Sequence, residues 1–267
     1  MSKLSLFFHD DYDYKSRAIP AVIALVPYFV LSWVLIDKIP IQGWMAICSR
    51  LGALAVMSVA GLYLLASVSR ALSVYFWEKR VFDDGYSFPT TRILLYSDMN
   101  LSKQYKRHLR KTIECQSHIK LPSKKSESED NVSARRVIAD AVKIVKLATR
   151  GCPLTRQAMI DYGMYRNLLG ASGLGLFASI PLALWGKVLS GAWTYTVIGA
   201  CLTLIYLVVL WSGDTIISWA GTRYAERMFE DYMNIKNNSG NNRISPRRHS
   251  NIRERCREGL TLVIRSM

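Results

Sequence analysis

Four long apolar stretches, each free of charge, alternate with strongly polar ones along this chain of 267 residues. They run Ala18–Ile36, Leu51–Ser69, Asn167–Gly186 and Gly191–Gly213, and none contains Asp, Glu, Lys or Arg. Each holds 19 residues or more. At 1.5 Å of rise per residue, a helix of that length spans roughly 30 Å, the thickness of a bilayer's hydrocarbon core. A soluble fold of this size rarely buries four such runs. The pattern predicts an all-α, polytopic membrane protein, with four transmembrane helices in two hairpins and a helical cytoplasmic insertion between spans two and three.

The same pattern divides the chain. Residues 1–17 form a cytoplasmic amino-terminal segment, 18–69 the first hairpin, 70–166 a basic helical region and 167–213 the second hairpin. Residues 214–267 form a helical extension followed by a partly disordered basic tail. The second span is expected to continue through Arg70 and Lys79 to the turn Asp83-Asp84-Gly85. Phe88-Pro89-Thr90-Thr91 reads as extended or irregular. A helix over about 101–114 carries Leu101, Tyr105, Leu109 and Ile113 on one face. Ser123–Asp130 is polar and mixed in charge, and reads as a linker. A wider apolar face (Ala134, Val137, Ile138, Ala141, Ile144, Val145, Ala148) predicts a second helix over about 132–149, with Arg136 and Asp140 paired on its flank. Pro153 opens a helix running into the third span. The fourth span is expected to run on past Asp214 through Arg223 and Tyr232. Residues 236–251 read as disordered, and 251–267 as a short amphipathic helix.

Charge orients these elements. The chain carries 35 Lys and Arg against 20 Asp and Glu, a net of +15. From Arg70 to Arg166 there are 19 basic and 10 acidic residues, and from Gly221 to Met267 there are 10 and 5, so these two segments hold +9 and +5. The links within the two hairpins carry little charge. Lys and Arg near spans are retained on the cytoplasmic side, so both termini and the central region are expected there. The polar residues preceding the first span, the span's length and the lack of a small-residue cleavage site argue against a cleavable signal. Five cysteines with no CxxC spacing read as reduced thiols rather than a disulfide framework.

Candidate chemistry is sparse. Ala171, Gly175, Ser179 and Ala183 recur at every fourth position of the third span and make a ridge of small side chains, the signature of close helix packing. The ridge fits packing within the chain or self-association into a homo-oligomer. Asp214 is the one acidic residue near a span core, either part of an ion path or gate or a carboxylate at the interface. Pro20, Pro27 and Pro181 fall within spans, where such residues shape kinks. Arg92, Lys103, Lys106, Arg107 and Arg110 make the insertion cationic, which suits anionic headgroups, an anionic ligand or acidic protein partner, or nucleic acid. No glycine-rich phosphate loop accompanies them. His108, Cys115 and His118 lack zinc spacing and a fourth ligand, so no metal is expected. With no GxSxG, no HExxH and no carboxylate pair within a span, the chain reads as a non-enzyme without a cofactor.

Pro89-Thr90-Thr91 leading to Leu94-Leu95-Tyr96-Ser97-Asp98, and Asp161-Tyr162-Gly163 with Arg166-Asn167-Leu168-Leu169-Gly170, resemble segments of uncharacterised bacterial four-span membrane proteins of the defence-island effector type. The resemblance covers the central region and the third span. It implies an antiviral effector in which a cytoplasmic sensor triggers a change at the membrane, and it carries no catalytic residue. Two functions follow as expectations: an oligomeric, channel-like effector that raises permeability on a cytoplasmic signal, or a non-enzymatic scaffold recruiting a partner to its basic surface. A membrane enzyme built on Asp214, His108 or Cys152 is a third, and a transporter lacks a midplane site.

Overall fold

The computed structural model describes residues 12, 14–36, 61–82 and 86–241, whose regular structure is entirely helical, with no strand among them. The amino-terminal segment to residue 11, the first hairpin turn and the tail helix expected over 251–267 lie outside the described residues. Helix α1 (Ile19–Ile36) follows a π-helical turn at Tyr14–Ala18. Helix α2 takes in residues 61–73, a π-helical turn at Val74–Glu78 and Lys79–Phe82. Then come α3 (Pro89–Arg92), α4 (Lys103–Ser117), α5 (Lys124–Glu129) and α6 (Asn131–Thr149). Helices α7 (Pro153–Ser190), α8 (Trp193–Trp211) and α9 (Gly213–Asn241) complete the described chain.

Three helical stretches are long and apolar enough to cross a membrane: Tyr14–Val34, Pro153–Ser190 and Trp193–Trp211. They correspond to the first, third and fourth apolar runs of the sequence. The second run, Leu51–Ser69, is described only from residue 61. The described residues fall into two compact units, one within Met1–Glu78 and Gly163–Ile217, the other within Lys79–Tyr162 and Ser218–Met267.

The first unit is inverted in residue size. Most of its buried positions are small, among them Ser16, Ala18, Ala21, Ala24, Ala66, Ser69, Ala171, Ser172, Ala178 and Ser179, with Val34, Leu169, Leu182, Tyr206 and Ile217 the larger side chains between them. Its exposed positions include Phe29, Trp33, Phe177 (76%), Leu184, Val188 (78%), Leu204 and Trp211 (93%). Water would drive the large apolar side chains inward. Lipid tails give no such drive, and close backbone packing then selects small residues between helices. The size pattern is that of helices solvated by hydrocarbon.

From Gly175 to Ala183 the small-residue ridge of α7 is filled by α8. Tyr206 covers Gly175, where an added Cβ would meet ring carbon Cζ at 2.5 Å. The Thr203 hydroxyl donates to Ser179 Oγ at 3.0 Å, Gly199 abuts the Ala183 backbone, and Thr196 lies against Gly186. The paired numbers sum to about 382 throughout, which is the register of one antiparallel hairpin. On the other side of α7, Gly170 stands against the Ser69 backbone of α2. Side chains also satisfy backbone carbonyls between these helices. Tyr206 donates to Ile23 O at 2.7 Å, Tyr28 to Leu174 O at 3.0 Å and Asn167 to Ser16 O at 2.7 Å.

The second unit has an ordinary apolar core, including Leu109, Ile113, Ile138, Val145, Met228, Phe229 and Tyr232. Phe88, Tyr162 and Tyr224 pack edge to face or tilted, with centroids 5.6–6.3 Å apart. Four expectations are corrected in the described chain. Pro89–Arg92 is a helical turn rather than irregular chain, because proline at the first position presets the helical φ. Ser123–Asp130 is not a linker. Ser123 caps α5, accepting from Ser126 N, and Asp130 caps α6, accepting from Ser133 N at 3.0 Å. The extension beyond the fourth span is not one continuous helix: α8 stops at Trp211, and α9 starts after the single turn residue Ser212. The Ser212 hydroxyl donates to Val208 O at 2.6 Å, and Gly213 makes room for the Trp77 ring. Helix α9 then persists to Asn241, past Lys236 where disorder was expected.

Candidate functional site

The irregular stretch 93–100 leaves carbonyls that no helix pairs, and buried carbonyls need donors. Lys106 and Arg110, one turn apart on α4, supply them. Lys106 Nζ donates to Leu95 O at 2.7 Å and Asp98 O at 2.6 Å. Arg110 donates to Leu94 O and Pro122 O, pairs with Glu127 Oε1 at 3.0 Å, and lies 4.1 Å from the centre of the Tyr96 ring. Glu127 Oε2 in turn accepts from Tyr96 N at 2.7 Å. Burial pushes the Lys106 ammonium below its usual pKa, and the neighbouring Asp98 carboxylate opposes that shift. These two cations are therefore structural cross-links and present no charge to solvent.

Beside this wall opens a cavity of about 890 Å³ within the second unit. Two guanidinium groups reach it, Arg92 from α3 and Arg135 from α6. Hydroxyl groups of Ser87, Ser97, Ser218 and Thr222 and the amide of Asn100 also line it, over a floor of Phe82, Pro89 and Ile93. Arg135 donates to Ser87 Oγ at 2.6 Å. Its Nε is shielded from solvent without an acceptor, and no carboxylate pairs with it among the described residues. Arg92 is 70% exposed, with Nε 3.7 Å from Asp98 Oδ2. Asp98 is the one acid lining the cavity among the described residues, and it is already engaged by Lys106 and by Asn100 N at 2.9 Å. Planar forks with hydroxyl donors around them suit an oxyanion such as phosphate or carboxylate. Among the described residues no histidine or cysteine lines the cavity.

The five cations singled out in the sequence are thus separated. Arg92 lines the cavity, Lys106 and Arg110 are buried behind it, and Lys103 and Arg107 are exposed on α4. Arg135 was missed: it borders the apolar stripe of α6, and only its doublet with Arg136 marked it. Asp140 pairs with Lys143 at 2.8 Å, and Arg136 lies over the Tyr86 ring instead. Asp214 is exposed in the first turn of α9, where a carboxylate suits the helix dipole. The ridge Ala171, Gly175, Ser179, Ala183 is a packing seam within the chain. His118 ends α4 in the left-handed conformation, and no group of three or more His, Cys, Asp or Glu is placed to hold a metal among the described residues. Protein-family models, curated proteins and solved structures give no match to this chain.

Proposed function

We propose that the chain is a multi-pass protein of a bacterial inner membrane whose cytoplasmic unit receives an anionic ligand or acidic partner. Four spans cross the bilayer, and both termini are cytoplasmic. Occupancy of the Arg92–Arg135 cavity changes the packing of the spans, in a homo-oligomer, and raises permeability, as a defence effector would. One observation carries this reading. Ser218 and Thr222 of the cavity stand on α9, and α9 is joined to the α8 span by the single residue Ser212. An anion held by the arginines and these hydroxyls would bear directly on the helix that follows the span. The ligand shifts the equilibrium by as much as it prefers one arrangement over the other.

Membrane potential in cells expressing the chain tests this. Wild type should depolarise cells, and Arg135→Gln, present in the membrane in equal amount, should not. Intact potential in cells expressing wild type, together with tight liposomes containing it, rules the reading out.

A separate observation favours a passive scaffold. At Gly175, Ser179 and Ala183 the α7 ridge is taken up by α8, while Lys103 and Arg107 remain exposed on α4. On this reading Lys103→Glu with Arg107→Glu abolishes recruitment of a soluble partner, and permeability never changes.

A further inference from the structure

Helix α4 presents a row of unpaired cations. Lys103, Arg107 and Lys111 stand at i, i+4 and i+8, which aligns them along one side of the helix with a rise of about 6 Å between neighbours. All three are exposed, and none has an ion pair, hydrogen bond or ring contact among the described residues. Gln104 and His108 flank the row and are exposed as well. The acids around α4 are committed elsewhere. Glu114 accepts from Leu121 N at 2.9 Å, Asp98 is engaged by Lys106, and Glu230, whose charge reaches Tyr105, pairs with Arg227 at 2.7 Å. Lys106 and Arg110 of the same helix bind backbone carbonyls, whereas the three cations of the row contribute only mutual repulsion to the fold.

The surroundings of the row select among polyanions. A protein partner needs apolar or aromatic anchors at the centre of the contact, where Lys is depleted. The one large apolar side chain that α4 exposes is Tyr105, at 36%. Helical spacing puts it about 160° around the axis from Arg107, away from the row. A helix that lies on a bilayer sinks its apolar face among the headgroups. The apolar face of α4 is already occupied, with Leu109 and Ile113 fully buried in the protein. A nucleic-acid backbone asks for neither feature. Its partners are Lys and Arg on the phosphates, with side chains such as Gln beside them.

We propose that the Lys103–Arg107–Lys111 row binds the phosphodiester backbone of a nucleic acid, without regard to sequence. The inference rests on the scaffold reading, to which it gives a partner class, and is independent of the Arg92–Arg135 cavity. Single-stranded RNA and duplex DNA share that backbone.

Fluorescence anisotropy of a labelled single-stranded RNA and a labelled duplex DNA, each titrated with the full-length protein in neutral detergent, tests this. At least one should bind saturably, with log K falling linearly as log salt rises. The tighter of the two identifies the strand form. Lys103→Gln, Arg107→Gln and Lys111→Gln together should weaken binding by about tenfold or more and reduce the salt slope by about 2 to 3, the share of three phosphate contacts. Lys103→Arg with Lys111→Arg keeps the charge and should bind as wild type does. Lys124→Gln, Arg136→Gln and Arg150→Gln together remove the same charge from exposed positions of the same unit and should leave the salt slope unchanged. The Tm of each variant without nucleic acid reports separately on folding. The proposal is overturned if both triple variants behave alike, or if neither nucleic acid binds; the scaffold reading is then judged separately by recruitment in the Lys103→Glu, Arg107→Glu variant. It is also overturned if labelled polyglutamate binds as tightly, a result that assigns the row to an acidic protein and leaves the scaffold reading standing.

Discussion

Arg110 and Glu127 form an ion pair at 3.0 Å, with side chains only 5% and 8% exposed, between a helix read as a cationic face and a segment read as a linker. The pair joins α4 to α5 and, through Tyr96 N and Leu94 O, both to the stretch that leads into the cavity. Removing one partner strands the other charge in the interior. Glu127→Ala should therefore cost about 3 kcal/mol or more, the usual penalty for breaking a buried pair. A double-mutant cycle with Arg110→Ala, read by unfolding of the full-length protein in detergent, should show positive coupling. Additive losses would mean that the pair is incidental.

Gly173 and Gly175 sit two residues apart on α7 and should respond oppositely to alanine. A Cβ at Gly173 meets nothing within 4 Å, whereas one at Gly175 strikes the Tyr206 ring. That ring cannot easily yield, since it is buried and its hydroxyl is held by Ile23 O. Gly173→Ala should be neutral or gain up to about 1 kcal/mol from helix propensity. Gly175→Ala should lose about 1–3 kcal/mol by overpacking. Equal effects on Tm would contradict the α7–α8 seam described above.

Asp231 caps α7 from a distance of 76 residues in sequence. Asp231→Ala leaves the Thr155 N–H and hydroxyl without their acceptor in a buried site. The expected loss is about 2 kcal/mol. Hydrogen exchange should localise it, with faster exchange at residues 154–158 and little change in the α7–α8 hairpin.

Tyr232 gives a pH signature. Burial pushes its phenol up to about 12, with a smaller contribution from Cys115, and its hydroxyl donates to Gln116 Oε1 at 2.8 Å. A group whose pKa is raised on folding stabilises the fold fully below its unfolded value, near 10, and that contribution disappears as pH climbs toward the folded value. Wild type should therefore lose Tm between about pH 10 and 12 more steeply than Tyr232→Phe. Parallel curves would contradict the assignment.

Much of this architecture was legible in the sequence, for reasons that also explain what was not. Charge-free runs of 19 residues or more announce span-length helices whatever they pack against, and three of the four are found as helices long and apolar enough to cross a membrane. The four-residue spacing of Ala171, Gly175, Ser179 and Ala183 pointed to close packing, but spacing carries no information about the partner, which is α8. The cationic residues of α4 were harder. Lys106 and Arg110 share the buried side of the helix with Leu109 and Ile113, because their charges are spent on carbonyls of residues 94–98. Nothing local encodes that arrangement. Glu127 looked like one charge in a solvated run for the same reason, and its role follows from Tyr96 and Arg110, distant in sequence. Arg135 escaped notice because the cavity it lines is assembled from α3, α6 and α9.

The inverted size pattern of the first unit rests on hydrocarbon as its solvent, and tryptophan quenching by brominated lipid measures that directly. Trp33, Trp185, Trp193 and Trp211 are all exposed on α1, α7 and α8. Reconstituted into vesicles carrying bromine on the acyl chains, the full-length protein should lose a large share of its tryptophan emission, relative to the same vesicles without bromine. Unchanged emission with the water-shifted spectrum of solvated indole would show that these side chains do not meet lipid, and the reading of the chain as a membrane protein would fail with them.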